Sequence, residues 1–133
     1  MPNSHGTDIT ALRQVALTVS DVERSTAFFR DTLGLRFLFA APPSLAFLDI
    51  SGVRLMLAPP EGDFKPGFGS VLYFKVADII ATHALLVERG VTFRHAPHFL
   101  AAMPDHDLWL CDFSDPDGNP LALMCERAQG EGR

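Results

Sequence analysis

The sequence predicts an α+β fold in which one strand–helix–strand–strand–strand unit occurs twice. Three observations predict it. Val19-x-Asp21 in the first half matches Val76-x-Asp78 in the second, and Leu33-Gly34-Leu35-x-Phe37 matches Arg89-Gly90-Val91-x-Phe93. The matches recur about 56 residues apart, the mark of an internal repeat. The run Ser51-Gly52-Val53-Arg54-Leu55-Met56-Leu57-Ala58 also resembles the run that follows Asp117-Gly118. If these strands are equivalent, one position on each should point into a shared cavity.

The elements follow in order. Residues 1–11 read as a loose lead-in. Gln14 to Val19 alternates and is rich in β-branched residues, so it is a strand. Ser20 or Asp21 then caps a helix. Its apolar positions Val22, Thr26, Phe29 and Leu33 recur every three to four residues, and Gly34 stops it. Leu35 to Phe39 is the next strand, broken by Ala41-Pro42-Pro43-Ser44. Leu45 to Ile50 and Val53 to Ala58 form a hairpin about Ser51-Gly52. The first module therefore covers 12–58. Residues 59–69 hold prolines and glycines without periodicity and form a linker.

The second module, 70–127, repeats the plan. Val71 to Val76 is a strand. Asp78 opens a helix whose buried side is Ile79, Ala84, Leu85 and Val87, and Gly90 ends it. Val91 to Arg94 is a short strand. Trp109 to Phe113 and Leu121 to Cys125 pair about Asp115-Pro116-Asp117-Gly118-Asn119. In that turn Pro presets one angle, Gly accepts positive φ, and Asp and Asn bond the local backbone. His95 to Asp107 reads as an inserted loop holding three of the five histidines. Residues 128–133 are a tail.

Composition narrows the function. The 133 residues are 47% hydrophobic with eleven Phe, enough for a core or an apolar pocket. The formal net charge of −5 argues against nucleic acid or an anionic membrane as partner. No apolar run approaches the roughly 18 residues of a membrane span. Met1 to Thr7 is polar, with no signal-peptide apolar region. Cys111 and Cys125 lie in apolar strands and read as buried reduced thiols of a cytoplasmic protein. There is no glycine-rich phosphate loop, no Gly-x-Ser-x-Gly and no Cys-x-x-Cys.

The run Val15-Ala-Leu-Thr-Val-Ser-Asp-Val-Glu-Arg-Ser-Thr-Ala-Phe-Phe-Arg-Asp-Thr-Leu-Gly34, with Phe113-x-Asp-Pro-Asp-Gly-Asn119, resembles the vicinal oxygen chelate superfamily. That superfamily includes glyoxalase I, bleomycin-resistance proteins and extradiol dioxygenases. The resemblance spans about Gln14 to Glu126. It implies two βαβββ modules whose curled mixed sheets surround a cleft. It also implies four metal-ligand positions, which fall here on Gln14, Met56, Val71 and Ala122. Gln14 is a plausible ligand and Met56 a soft one, but Val and Ala bring no donor atom.

If those four positions face the cleft, strand parity adds Ala16, Thr18, Arg54, Ala58, Tyr73, Lys75, Pro120 and Met124. Val15, Leu17, Leu72, Phe74, Leu121 and Leu123 then back onto the helices. Gln14 and Tyr73 become candidate hydrogen-bonding groups for a ligand. In the insert, His98 and His106 are candidate ligand contacts. Asp105 could orient His106 as a base, or join both histidines around an off-pattern metal. The bland reading is a solvated loop. Trp109 is either core or a stacking platform. His83 sits on a helix surface, His5 belongs to the tail and His95 has no evident role.

Two functions compete. One is a superfamily member lacking the metal set, with no cofactor, that binds a small, partly apolar organic molecule and sequesters it. The other is a metal-dependent lyase, isomerase or dioxygenase using a divalent ion on Gln14 and the loop histidines. The resemblance also favours a homodimer.

Overall fold

The computed structural model describes residues 6–133. His5 and most of the polar Met1 to Thr7 run lie outside the described residues. The chain divides into two compact units, 1–59 and 60–133.

In the first unit β1 (Gln14–Thr18) leads to α1 (Val22–Ala27), then to β2 (Arg36–Ala41), β3 (Leu45–Ile50) and β4 (Val53–Ala58). The sheet order is β1-β4-β3-β2, with β1 and β4 parallel and the rest antiparallel. Asp21 caps α1, accepting from Arg24 N at 3.0 Å. Beyond α1 the chain widens into a π-helical turn over Phe28–Thr32. Leu33 N donates to Phe28 O at 3.0 Å, a five-residue step. The turn ends at Gly34, whose φ of +80° lets Leu35 N reach back to Phe29 O at 2.9 Å. Leu17, Phe29, Leu48, Leu55 and Leu57 are buried between helix and sheet.

Ser51 and Gly52 both have positive φ, +50° and +92°. That is the turn whose twist suits a two-residue hairpin. Its register puts Phe47 opposite Met56 and Asp49 opposite Arg54.

The second unit has β5 (Leu72–Lys75), α2 (Ile79–Glu88), β6 (Phe93–Ala102), β7 (Asp107–Ser114) and β8 (Pro120–Arg127). Its order, β5-β8-β7-β6, repeats the first sheet. Asp78 caps α2 through Ala81 N at 3.0 Å. The buried side of α2 is Ile79 and Leu86, one full heptad apart. The sequence expectation of Ala84, Leu85 and Val87 is corrected: all three are exposed. His83 is half-buried, its ring 4.4 Å from that of Phe93, rather than lying free on the surface.

The expected insert at 95–107 is corrected too. Residues 93–102 form one ten-residue strand, β6, with register shifts at Phe93/His95, His95/His98 and Phe99/Ala101. The bulges accommodate Pro97, which cannot donate to a ladder, and hide the strand's alternation.

Buried polar groups hold this unit. Asp115 Oδ1 accepts from Asp117 N (2.9 Å) and Asn119 N (2.8 Å), and its Oδ2 accepts from Asn119 Nδ2 (2.9 Å). Asn119 Oδ1 in turn accepts from Gly67 N at 2.7 Å, pinning the middle of the 60–71 segment to the turn. Gly67 has φ +87°, and a Cβ there would lie 3.4 Å from Asp117 O. Asp107, wholly buried, accepts from Arg133 at 2.6 and 2.7 Å and from Gly130 N at 2.8 Å. The tail is thus anchored. Cys111 and Cys125 are buried and unpaired.

Candidate functional site

The sequence-predicted residues fall on specific faces of the two sheets. Gln14 and Met56 share the face of the first sheet that α1 leaves open. Gln14 Nε2 donates to Met56 Sδ at 3.9 Å. Two aromatic residues that the sequence reading missed join them. Phe47, opposite Met56, stacks on Phe39 with ring centroids 4.6 Å apart. The Arg54 guanidinium lies 5.9 Å from the Phe47 ring centroid, and its Nε is buried without a partner. The hairpin about Ser51-Gly52 would have revealed Phe47, since a two-residue turn fixes which residues stand opposite.

In the second unit Val71, Tyr73, His98 and Ala122 line one recess of about 230 Å³. Arg94, His95, Leu110, Asp112 and Pro120 complete its wall. Ala122 is buried and contributes a floor with no side chain beyond Cβ. Asp112 stands opposite Ala122 on β7. That pairing follows from the Asp-Pro-Asp-Gly-Asn turn and was legible.

His95 was not legible. The bulged β6 places it opposite Asp112, and His95 Nδ1 donates to Asp112 Oδ1 at 2.7 Å. Arg94 sits 3.9 Å from the other carboxylate oxygen. His98 Nδ1 donates to Ala96 O at 2.9 Å. The two imidazole centroids are 6.1 Å apart.

His106 and Trp109 do not join this group. Trp109 is buried on the opposite face of β7, in line with Cys111 and Phe113, with Arg127 over its ring at 4.6 Å. Its place is in the core, as one of the two sequence readings had it. His106 lies in the β6–β7 turn, donating to Asp105 at 2.6 Å, with Glu126 at 3.9 Å. The His106 bond holds Asp105 below the usual carboxylate range. His98 stands opposite Leu110, four residues beyond His106. At about 3.3 Å per strand residue they are about 13 Å apart. His98, Asp105 and His106 therefore cannot share one ion.

The family's metal positions do not fit a metal either. Val71 and Ala122 offer no donor, and the Gln14 amide faces a thioether. Among the described residues, no group of three or more His, Cys, Asp or Glu converges to hold an ion.

A larger groove of about 920 Å³ runs between the start of α1 and the β2–β3 turn. Much of its polar lining is already committed. Asp21 caps the helix, Thr26 Oγ1 donates to Val22 O, and Arg30 pairs with Asp31. The smaller recess has the more convergent chemistry.

The two βαβββ units, each with one sheet face left open by its helix, define the class of fold. The chain belongs to the Glyoxalase/Bleomycin resistance protein/Dioxygenase superfamily, whose model matches residues 11–123. It is similar to TnmS3, an antibiotic binding protein from Streptomyces sp. CB03234. Identity is 26% over 90% of this chain and 98% of that one, with a TM-score of 0.75. A superfamily member from Sphaerobacter thermophilus DSM 20745 is 27% identical over 89% and 98%, with a TM-score of 0.76. YraH of Bacillus subtilis (strain 168), described as uncharacterized, is 28% identical over 84% of this chain and 95% of its own length. Among the described residues, no helix is long and apolar enough to cross a membrane.

Proposed function

We propose that the protein is a metal-free member of the superfamily that binds and sequesters a small, partly apolar organic molecule. The observation that carries this reading is the recess in the second unit. Val71, Leu110, Pro120 and Ala122 supply apolar wall, and Tyr73, His95 and His98 supply a few convergent polar atoms. That is the usual composition of a ligand pocket. The likeness to TnmS3 supports it, and the donor-poor metal positions support binding over metal-assisted chemistry.

The test is a thermal-shift screen of small aromatic and polyketide-like compounds, beside metal analysis of the purified protein. A ligand that binds only the folded state raises the melting temperature by mass action. We expect such a shift with at least one compound, and no stoichiometric divalent metal. Stoichiometric metal with turnover of a substrate would overturn the reading.

The same proposal includes a cytoplasmic homodimer. The unpaired buried thiols suit a reducing compartment. Ile80 and Val87, seven residues apart, give α2 an exposed apolar flank that a second copy would cover. Sedimentation of wild type beside Ile80→Glu checks the dimer: wild type should run as a dimer and the variant as a monomer.

A further inference from the structure

We infer that the recess of the second unit recognises its ligand through hydroxyl hydrogens, presented to two imidazoles locked as acceptors. This rests on the small-molecule reading above and adds the ligand's chemical class: a neutral ring bearing a phenolic or enolic hydroxyl.

The argument begins with tautomers. A neutral imidazole carries one proton, and which nitrogen holds it is set by the partner of the other. His98 Nδ1 meets the Ala96 carbonyl oxygen at 2.9 Å. A carbonyl only accepts, so the proton sits on Nδ1. His95 Nδ1 meets an Asp112 carboxylate oxygen at 2.7 Å, which also only accepts. Both neutral rings are therefore forced into the same form, with Nε2 left as a lone-pair acceptor. Neither Nε2 has a partner among the described residues. With centroids 6.1 Å apart and both side chains lining one recess, the two acceptors are within reach of one small ring.

Charge removes the alternatives. An anion entering the recess would meet Asp112, with Arg94 already drawn to that carboxylate at 3.9 Å. A cation would find that same carboxylate already shared between His95 and Arg94. A neutral donor faces neither penalty, and two of the open positions call for one. The volume of about 230 Å³ suits a single ring rather than a large polycycle wholly enclosed. Asp112 is a positioning residue here: its Oδ1 fixes the tautomer and orientation of His95.

The experiment compares 4-cyanophenol with its methyl ether, 4-methoxybenzonitrile. The two share ring and nitrile, and only the phenol donates. Affinity is measured by calorimetry on the full chain. The histidine ring nitrogens are followed by 15N NMR, which reads the tautomer directly. Wild type should show both rings as the Nδ1–H form before ligand. It should bind the phenol about tenfold or more tightly than the ether. The phenol, with one hydrogen to donate, should shift the Nε2 resonance of His95 or of His98, and the ether should shift neither.

His95→Phe/His98→Phe keeps two flat rings at exposed positions and removes both acceptors. It should bring the phenol-to-ether preference close to one. Asp112→Leu should let the His95 tautomer revert in the NMR spectrum while His98 keeps its own. Equal binding of phenol and ether, a preference that survives in the double variant, or Nε2–H tautomers in the free protein would each overturn the inference. So would failure of both probes to bind. The sequestration reading is judged separately, by the melting shift with any compound of the wider screen.

Discussion

The two units share one topology and are held together by different means. In the first, the buried polar residues among those described are Ser25 and Thr26, and the β3–β4 hairpin closes on two residues of positive φ. In the second, Asp107, Asp115 and Asn119 are buried, and each anchors backbone or tail. The open faces differ in the same sense. The first presents Phe39, Phe47 and Met56, while the second presents His95, His98 and Asp112. Duplication fixes the backbone plan and leaves each copy free to change the chemistry mounted on it.

Removing the cation from the second unit should have the largest effect. Arg133→Ala leaves the wholly buried Asp107 without its charge partner, and an unpaired buried charge is strongly destabilising. The melting temperature should fall by about 10 °C in calorimetry. In the first unit the Arg30–Asp31 pair is exposed, and Arg30→Ala should move the melting temperature by about 1 °C.

The hairpin turns sharpen the contrast next. Asp115→Ala deletes three accepted hydrogen bonds and should cost about 2–3 kcal/mol by denaturant melts. Asp49 accepts from Gly52 N at 3.1 Å, near solvent, so Asp49→Ala should cost about 0.5 kcal/mol.

Acid should separate two carboxylates within the second unit. The Arg133 hydrogen bonds hold Asp107 below its ordinary value of 3.8. Its stabilisation is complete above that value and is lost as pH falls through the depressed one. Burial pushes Asp115 above 3.8 despite its hydrogen bonds. Its charge therefore costs stability above the raised value, and acidification relieves that cost down to 3.8. Melting temperatures between about pH 2 and 6 should show wild type losing stability at the acid end. That acid loss should shrink in Arg133→Ala, leaving the part owed to the other depressed carboxylates, Asp31 and Asp105.

The smallest effect concerns the thiols. Burial, with the Asp112 charge beside it, raises Cys111 to about 11. The folded protein should resist iodoacetamide at pH 8, with labelling appearing only on unfolding.

Much of this was legible in residues. Asp21 and Asp78 cap their helices, Gly34 and Gly90 end them, and both hairpins turn where Ser51-Gly52 and Asp115 to Asn119 put them. Parity correctly sent Leu17, Leu121 and Leu123 inward, and Val15, Leu72 and Phe74 are half-buried. Parity failed where the ladder is bulged. Three register shifts disguised β6 as a loop, and with it the His95–Asp112 pair. The buried face of α2 was misread because the helix is apolar nearly all round, so period alone did not choose a side. Val71, Tyr73, His98 and Ala122 come together, whereas His106 and Trp109 were drawn in by sequence proximity that a strand's alternating faces undo.

The bond from Gly67 to Asn119 has a practical corollary. Residues 60–71 hold no helix or strand, yet their midpoint is fastened, so a protease should nick them on either side of Gly67 and spare the glycine itself. New chain ends opened between Gly62 and Asp63 would leave that fastening with the C-terminal fragment. A nick there should leave the melting temperature nearly unchanged, whereas one at Gly67 should lower stability by about 1 kcal/mol.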